Sequence, residues 1–165
     1  IRAAILVGHS YGGCLALLGA ALHPERVQAA VAIAPQLVMH EAARAGLARA
    51  IAAWESGKLR ASLEKYHGAN TEALFQGWIA ETEDAGMVAR YRALLERIAR
   101  PVLVLVGDQD EYGYRPNLEL IEAAVAPCWR TIEVVPDWRH HPHWHDLDGV
   151  AARIVEGLRT LPGAC

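Results

Sequence analysis

The chain has 165 residues, of which 53% are hydrophobic and 21% charged, and its formal net charge is −3. This length and apolar share suit one globular domain with its own core and exclude a disordered chain. Charges of both signs are interspersed, so neither nucleic acid nor a membrane surface is expected as a partner. No stretch has the apolar length of a membrane span, and no signal peptide is visible. Cys14, Cys128 and Cys165 are odd in number and far apart. They form neither a disulfide framework nor a metal-ligand spacing, so a reducing, cytoplasmic compartment is the expectation.

Ala3–Val7 is a short apolar strand that runs directly into Gly8-His9-Ser10-Tyr11-Gly12. This is the G-x-S-x-G pattern of a strand-to-helix turn that holds a serine hydroxyl clear of the sheet. Glycines two positions either side of Ser10 leave out Cβ atoms that would collide across the turn. An apolar helix follows from Gly12 to Leu22, and its free N–H groups suit a developing negative charge. Val27–Ala34 is a second buried strand, ended by Pro35. Strands of near-continuous apolar character separated by a helix point to a parallel sheet covered on both faces.

From Gln36 to about Arg100 the pattern turns helical, with segments at Glu41–Trp54, Leu59–Tyr66, Thr71–Glu81 and Ala85–Ile98. Gly46, Gly57, Gly68 and Gly86 punctuate them. The segment is expected to be an inserted helical subdomain. Strand character resumes at residues 102–107, a helix spans about Arg115–Val125, a strand spans Thr131–Val135, and a last amphipathic helix spans Leu147–Leu158. The expected division is 1–36 core, 37–100 helical insert and 101–165 core.

A serine hydroxyl needs a base to take its proton, and the base needs a partner to hold its tautomer. Asp108, Asp110 and Glu111 follow the third strand, where open α/β sheets place their chemistry. His140, His141, His143 and His145 follow the fourth strand. Four histidines so close together also suit a metal. No second cluster of cysteine or carboxylate ligands accompanies the loop, so no metal or cofactor is assigned.

The order Ser10, then acid, then histidine, each after a strand, resembles the α/β-hydrolase superfamily over nearly the whole chain. Gly-His-Ser-Tyr-Gly-Gly is similar to the elbow of its esterases and carbon–carbon bond hydrolases. Residues 101–110 resemble the strand that leads to the triad acid, which implies Asp110. Residues 137–143 resemble the family's histidine loop, which implies His140 as base, with His141 or His143 as the fallback, since Trp138-Arg139 stand where a small residue and glycine are common. Residues 66–78 and 110–113 resemble a bacterial subgroup that carries no substrate assignment.

The resemblance implies a partial α/β-hydrolase fold with about four parallel strands and a helical cap. It implies a Ser10–His140–Asp110 triad that cleaves a carboxylic ester, or a carbon–carbon bond beside a ketone, through an acyl-enzyme. Tyr11 N–H is the implied oxyanion donor. A serine at the elbow argues against the relatives that use aspartate there, the haloalkane dehalogenases and epoxide hydrolases. His9, Met39, His40, Trp54, Tyr66, Phe75 and Trp78 are the expected pocket walls for an apolar or aromatic small molecule.

The chain opens on Ile1 with the elbow strand almost at once, and is expected to be the C-terminal portion of a longer protein. The strands that precede the elbow in the family would supply the second oxyanion donor, whose loss costs about 10²–10³ in rate. An unpaired flank of the elbow strand would also favour a homo-oligomer or aggregation. The alternative expectation is a catalytically incompetent remnant or a binding module.

Overall fold

A computed structural model of the chain describes residues 2–161; Ile1 and Cys165 lie outside the described residues. Four strands form the sheet: β1 (Ala4–His9), β2 (Val27–Ile33), β3 (Val102–Gly107) and β4 (Arg130–Val135). All pairings are parallel and the spatial order is β1-β2-β3-β4. β1 extends beyond Val7 because its ladder with β2 continues through Gly8↔Ala32 and His9↔Ile33.

The helices are α1 (Tyr11–Leu22), α2 (Glu41–Glu55), α3 (Lys58–His67), α4 (Thr71–Glu83), α5 (Met87–Leu95), α6 (Arg115–Ala124) and α7 (Leu147–Thr160). α5 starts two residues later than the sequence pattern because Asp84 accepts a 2.7 Å hydrogen bond from Gly86 N–H, which shapes residues 84–86 as a turn.

Strand periodicity divides the core into two layers. Ala30, Ala32, Val102, Val104 and Val106 point to the face covered by α1, α5 and α6. Val31, Ile33, Leu103, Leu105 and Val135 point to the other, against Trp138 and Val150. Both sets are buried, which is why these strands read as unbroken apolar runs rather than alternating ones.

β1 departs from this arrangement. Leu6 packs into the first layer, but Ile5 and Val7, on the opposite face, are 45% and 54% exposed. β2 is the one strand that β1 pairs with among the described residues.

The helical insert does not pack as one unit. Trp54 of α2 stacks on Phe75 of α4 with ring centroids 3.9 Å apart, and Arg60 of α3 lies over the Trp54 ring. By contrast Met87, Tyr91, Leu95 and Ile98 are buried in the main core with α1 and the sheet. α5 packs with the core through an apolar stripe at i, i+4, i+8, whereas α2 to α4 pack with one another. Cys14 is free and buried in α1. No helix among the described residues is long and apolar enough to cross a membrane.

The elbow glycines are not equivalent. A Cβ on Gly8 would come 1.9 Å from the Gly12 carbonyl oxygen, whereas one on Gly12 would meet nothing within 4 Å. Gly8→Ala is expected to lower the thermal midpoint sharply or prevent folding. Gly12→Ala should match or slightly exceed the wild-type midpoint, since alanine is favoured over glycine in a helix by up to about 1 kcal/mol. Equal midpoints for the two variants in a melting series would contradict the packing of this turn.

Candidate active site

Ser10 joins β1 to α1 with φ 55° and ψ −122°, a left-handed conformation that costs a non-glycine residue about 1–3 kcal/mol. Its backbone N–H donates to the Ile33 carbonyl at 2.8 Å, which ties the turn to the end of β2. Its hydroxyl makes no helix-capping bond and instead lies 3.0 Å from His140 Nε2. Tyr11 is the first residue of α1, so its N–H has no intrahelical acceptor and remains available beside the hydroxyl.

On the far side of the imidazole, His140 Nδ1 donates to Asp110 Oδ2 at 2.9 Å and approaches Oδ1 at 3.1 Å. Both residues are buried, at 3% and 9% exposure. This leaves Nε2 as the nitrogen with the lone pair, facing Ser10. Three residues separated by 100 and 30 positions thus form one continuous relay.

The other acid candidates hold the loops together. Glu111 Oε2 accepts from the His140 backbone N–H at 3.1 Å, and Asp108 Oδ1 accepts from the Asp137 N–H at 2.8 Å. Burial works to raise the Glu111 carboxyl, but backbone N–H donors, including that of His140, and the nearby Arg139 hold it below its ordinary value. The Asp110 carboxylate is itself fixed by the Tyr112 N–H at 2.8 Å.

Trp138, the departure from the family's usual loop, anchors it. Its indole N–H donates to Asp146 Oδ2 at 2.8 Å, and its carbonyl accepts from Gln109 N–H at 3.0 Å. That carbonyl crosses Gly107 so closely that a Cβ there would lie 1.9 Å away.

The fold also brings His9 to the histidine loop. His9 Nε2 donates to the His140 carbonyl at 2.6 Å, and its ring centroid lies 5.0 Å from that of His140 and 4.9 Å from those of His141 and His143. Burial, reinforced by the neighbouring imidazoles, pushes the His9 pKa down to about 4 against the raising effect of its hydrogen bond. Burial and the same neighbours hold His141 below its ordinary value. His145 is exposed and His143 half-buried; His140 is the member of the loop that reaches Ser10.

A cavity of about 170 Å³ opens at the Ser10 hydroxyl. One face of α2 (Ala43, Gly46, Leu47, Ala50) forms one wall, and Met39, Trp78, Met87 and Tyr112 line the rest. Gln36 and Thr82 supply the polar edges, and Gln36 Oε1 is buried with no hydrogen-bond partner among the described residues. Of the expected walls, Met39 and Trp78 line this cavity. Trp54 and Phe75 are consumed in joining α2 to α4, and Tyr66 is 81% exposed. His40 turns toward the Gly113 carbonyl at 3.3 Å, and His9 lies behind the catalytic loop.

Sequence reasoning passed over the α2 face, which is small rather than aromatic. It also passed over Tyr112, whose ring sits 4.4 Å from His140, and Asn117, whose fully buried side chain accepts from the N–H groups of Leu37 and Val38. The i, i+3, i+4, i+7 spacing of Ala43, Gly46, Leu47 and Ala50 was the available signal for the first.

Residues 1–94 match the model of the family described as alpha/beta hydrolase fold. With more than half its length matched, and with this parallel sheet and elbow, the chain belongs to the alpha/beta-hydrolase family. No curated protein matches it. Among solved structures it is similar to Rv0554 from Mycobacterium tuberculosis, at 19% identity and TM-score 0.65, over 97% of this chain and 66% of that one. It is similar to the 2-hydroxy-6-oxo-6-phenylhexa-2,4-dienoate hydrolase BphD from Rhodococcus sp. strain RHA1, at 19% identity and TM-score 0.65, over 97% and 65%. A third likeness is the peroxisomal alpha-beta-hydrolase Lpx1 from Saccharomyces cerevisiae, at 13% identity and TM-score 0.66, over 94% and 52%. At these identities the likeness is one of fold, and the chain spans about two thirds or less of their lengths.

Burial pushes the Cys14 thiol up to about 12. Cys14 in the native protein should therefore resist iodoacetamide at pH 8 and react fully once the chain is unfolded. Peptide mapping checks this, and native-state alkylation at the rate of a free thiol would show the α1 packing to be open.

Proposed function

We propose that this chain carries the triad of a serine hydrolase that transfers the acyl group of a small, uncharged substrate to water. The observation that carries the reading is the buried relay from Ser10 Oγ through the His140 imidazole to the Asp110 carboxylate. As Ser10 Oγ bonds to the substrate carbonyl carbon, His140 Nε2 takes the hydroxyl proton, and Asp110 stabilises the imidazolium through Nδ1–H. The Tyr11 N–H, at the positive end of α1, donates to the oxyanion. Collapse of the tetrahedral intermediate breaks the bond to the leaving group, which receives the proton from His140. Water then attacks the acyl-serine, its proton passing to His140 and on to Ser10 as the acid departs.

The cavity supports an ester or ketone with an apolar acyl part, because its walls beyond the triad contain no charged side chain. Burial holds the neighbouring His9 and His141 below their ordinary values, which disfavours a second cation beside the imidazolium of His140. A second reading, an inherited but idle triad, is favoured by one observation: Ile5 and Val7 are exposed on the face of β1 opposite the α1 layer.

A fluorophosphonate probe with peptide mapping decides between them. The proposal expects a label on Ser10, absent in Ser10→Ala and slowed by about 10⁴ in Asp110→Asn, the loss typical when a triad acid no longer holds the tautomer. A folded, monodisperse sample that takes no label would establish the idle reading.

Trp78→Ala should open the cavity wall. Across p-nitrophenyl esters from acetate to octanoate, the ratio of kcat/KM for octanoate over acetate is expected to rise about tenfold or more, within the range a few methylenes can supply. An unchanged ratio would remove Trp78 from the acyl site.

A further inference from the structure

We propose that His9, His140 and His141 form an inhibitory site for a divalent transition-metal ion of the zinc type, which silences the triad by taking the lone pair of its base. The donor atoms of these three imidazoles all lie within 4.8 Å of one another. They come from two segments: His9 from the end of β1, and His140 and His141 from the loop after β4. The fold thus supplies the second contributor that the histidine loop lacks when read along the chain.

Two of the ligands are already set in the tautomer a metal needs. His140 commits Nδ1–H to Asp110, which leaves the Nε2 lone pair free. His9 commits Nε2–H to the His140 carbonyl, which leaves Nδ1 free. Carboxylate and carbonyl acceptors behind metal-binding imidazoles are the usual outer support of zinc sites. His141 is half-buried, stacks on Trp144 with ring centroids 4.0 Å apart, and makes no hydrogen bond through its ring among the described residues, so its nitrogens are uncommitted.

Zinc–nitrogen bonds of about 2.0–2.1 Å in a tetrahedral arrangement require nitrogens about 3.3 Å apart. From nitrogens up to 4.8 Å apart, the imidazoles must close by about 1.5 Å to reach that geometry. Three neutral imidazoles suit zinc or copper and give a hard ion such as magnesium nothing to prefer. Each bond is dative, from a nitrogen lone pair to the cation, with no redox change. The Nε2 pair given to the metal is the one that accepts the Ser10 proton, so metal binding and nucleophile activation exclude each other.

The silencing rests on the hydrolase reading above; the binding does not. Calorimetric titration of Zn²⁺ into the full chain and into Ser10→Ala should give one site of similar affinity in both, with none for Mg²⁺. His9→Ala and His141→Ala should each weaken it by about tenfold or more. His141→Gln serves as the second variant should His9→Ala lose its fold by circular dichroism. In the wild type, saturating Zn²⁺ should abolish fluorophosphonate labelling of Ser10, and a chelator should restore it. Unchanged zinc affinity in the His141 variants, or no binding at millimolar Zn²⁺, overturns the site. Binding lost in the histidine variants, together with a wild type that never labels, upholds the site and fails the hydrolase reading alone.

Discussion

The bond from the Ser10 N–H to the Ile33 carbonyl is the constraint on which the rest of the site depends. A serine at φ 55° is unfavourable on its own, and it persists because the parallel ladder of β1 and β2 brings that carbonyl to it. The same turn presses Gly8 against Gly12, so the chain reverses into α1 within a few residues and the hydroxyl is left clear of the helix cap. Strain at Ser10 and close packing at Gly8 are two sides of one arrangement.

Against this fixed serine, Asp110 and His140 arrive on two loops that hold each other. Trp138 crosses Gly107, Gln109 bonds the Trp138 carbonyl, Asp108 receives the Asp137 N–H and Glu111 receives the His140 N–H. None of these four contacts involves a reacting atom, yet together they determine where the imidazole stands. His9 adds a fifth from β1 itself, so a residue beside Ser10 supports the loop that carries His140. That closeness is also what makes a cluster of imidazoles available to a metal.

The segment between β2 and β3 separates two tasks that its sequence mixes. Its aromatic residues Trp54 and Phe75 stack with each other and join α2 to α4. The face that α2 turns to the cavity is made of Ala43, Gly46, Leu47 and Ala50, and at Gly46 a Cβ would lie 2.1 Å from the Tyr112 ring. Tyr112 in turn packs on His140, so the α2 wall and that imidazole share a neighbour. α5, which follows α4 in sequence, instead buries Met87, Tyr91 and Leu95 in the core.

By itself the sequence determined the order and type of the elements and the identity of a serine, an acid and a histidine at three strand ends. These are local properties: apolar runs of strand length, helical spacing, and glycines where a turn needs them. Which of Asp108, Asp110 and Glu111 faces the imidazole was legible only through a family resemblance, because all three satisfy the same local description. Tertiary structure decided the division of the insert, since the stripe on α5 matches the core as well as the cap. It decided that one face of α2, together with Trp78 and Tyr112, lines the cavity, while Trp54 and Phe75 find partners in each other. It alone brought His9 to His140, across 131 positions, since a parallel sheet places the ends of distant strands side by side.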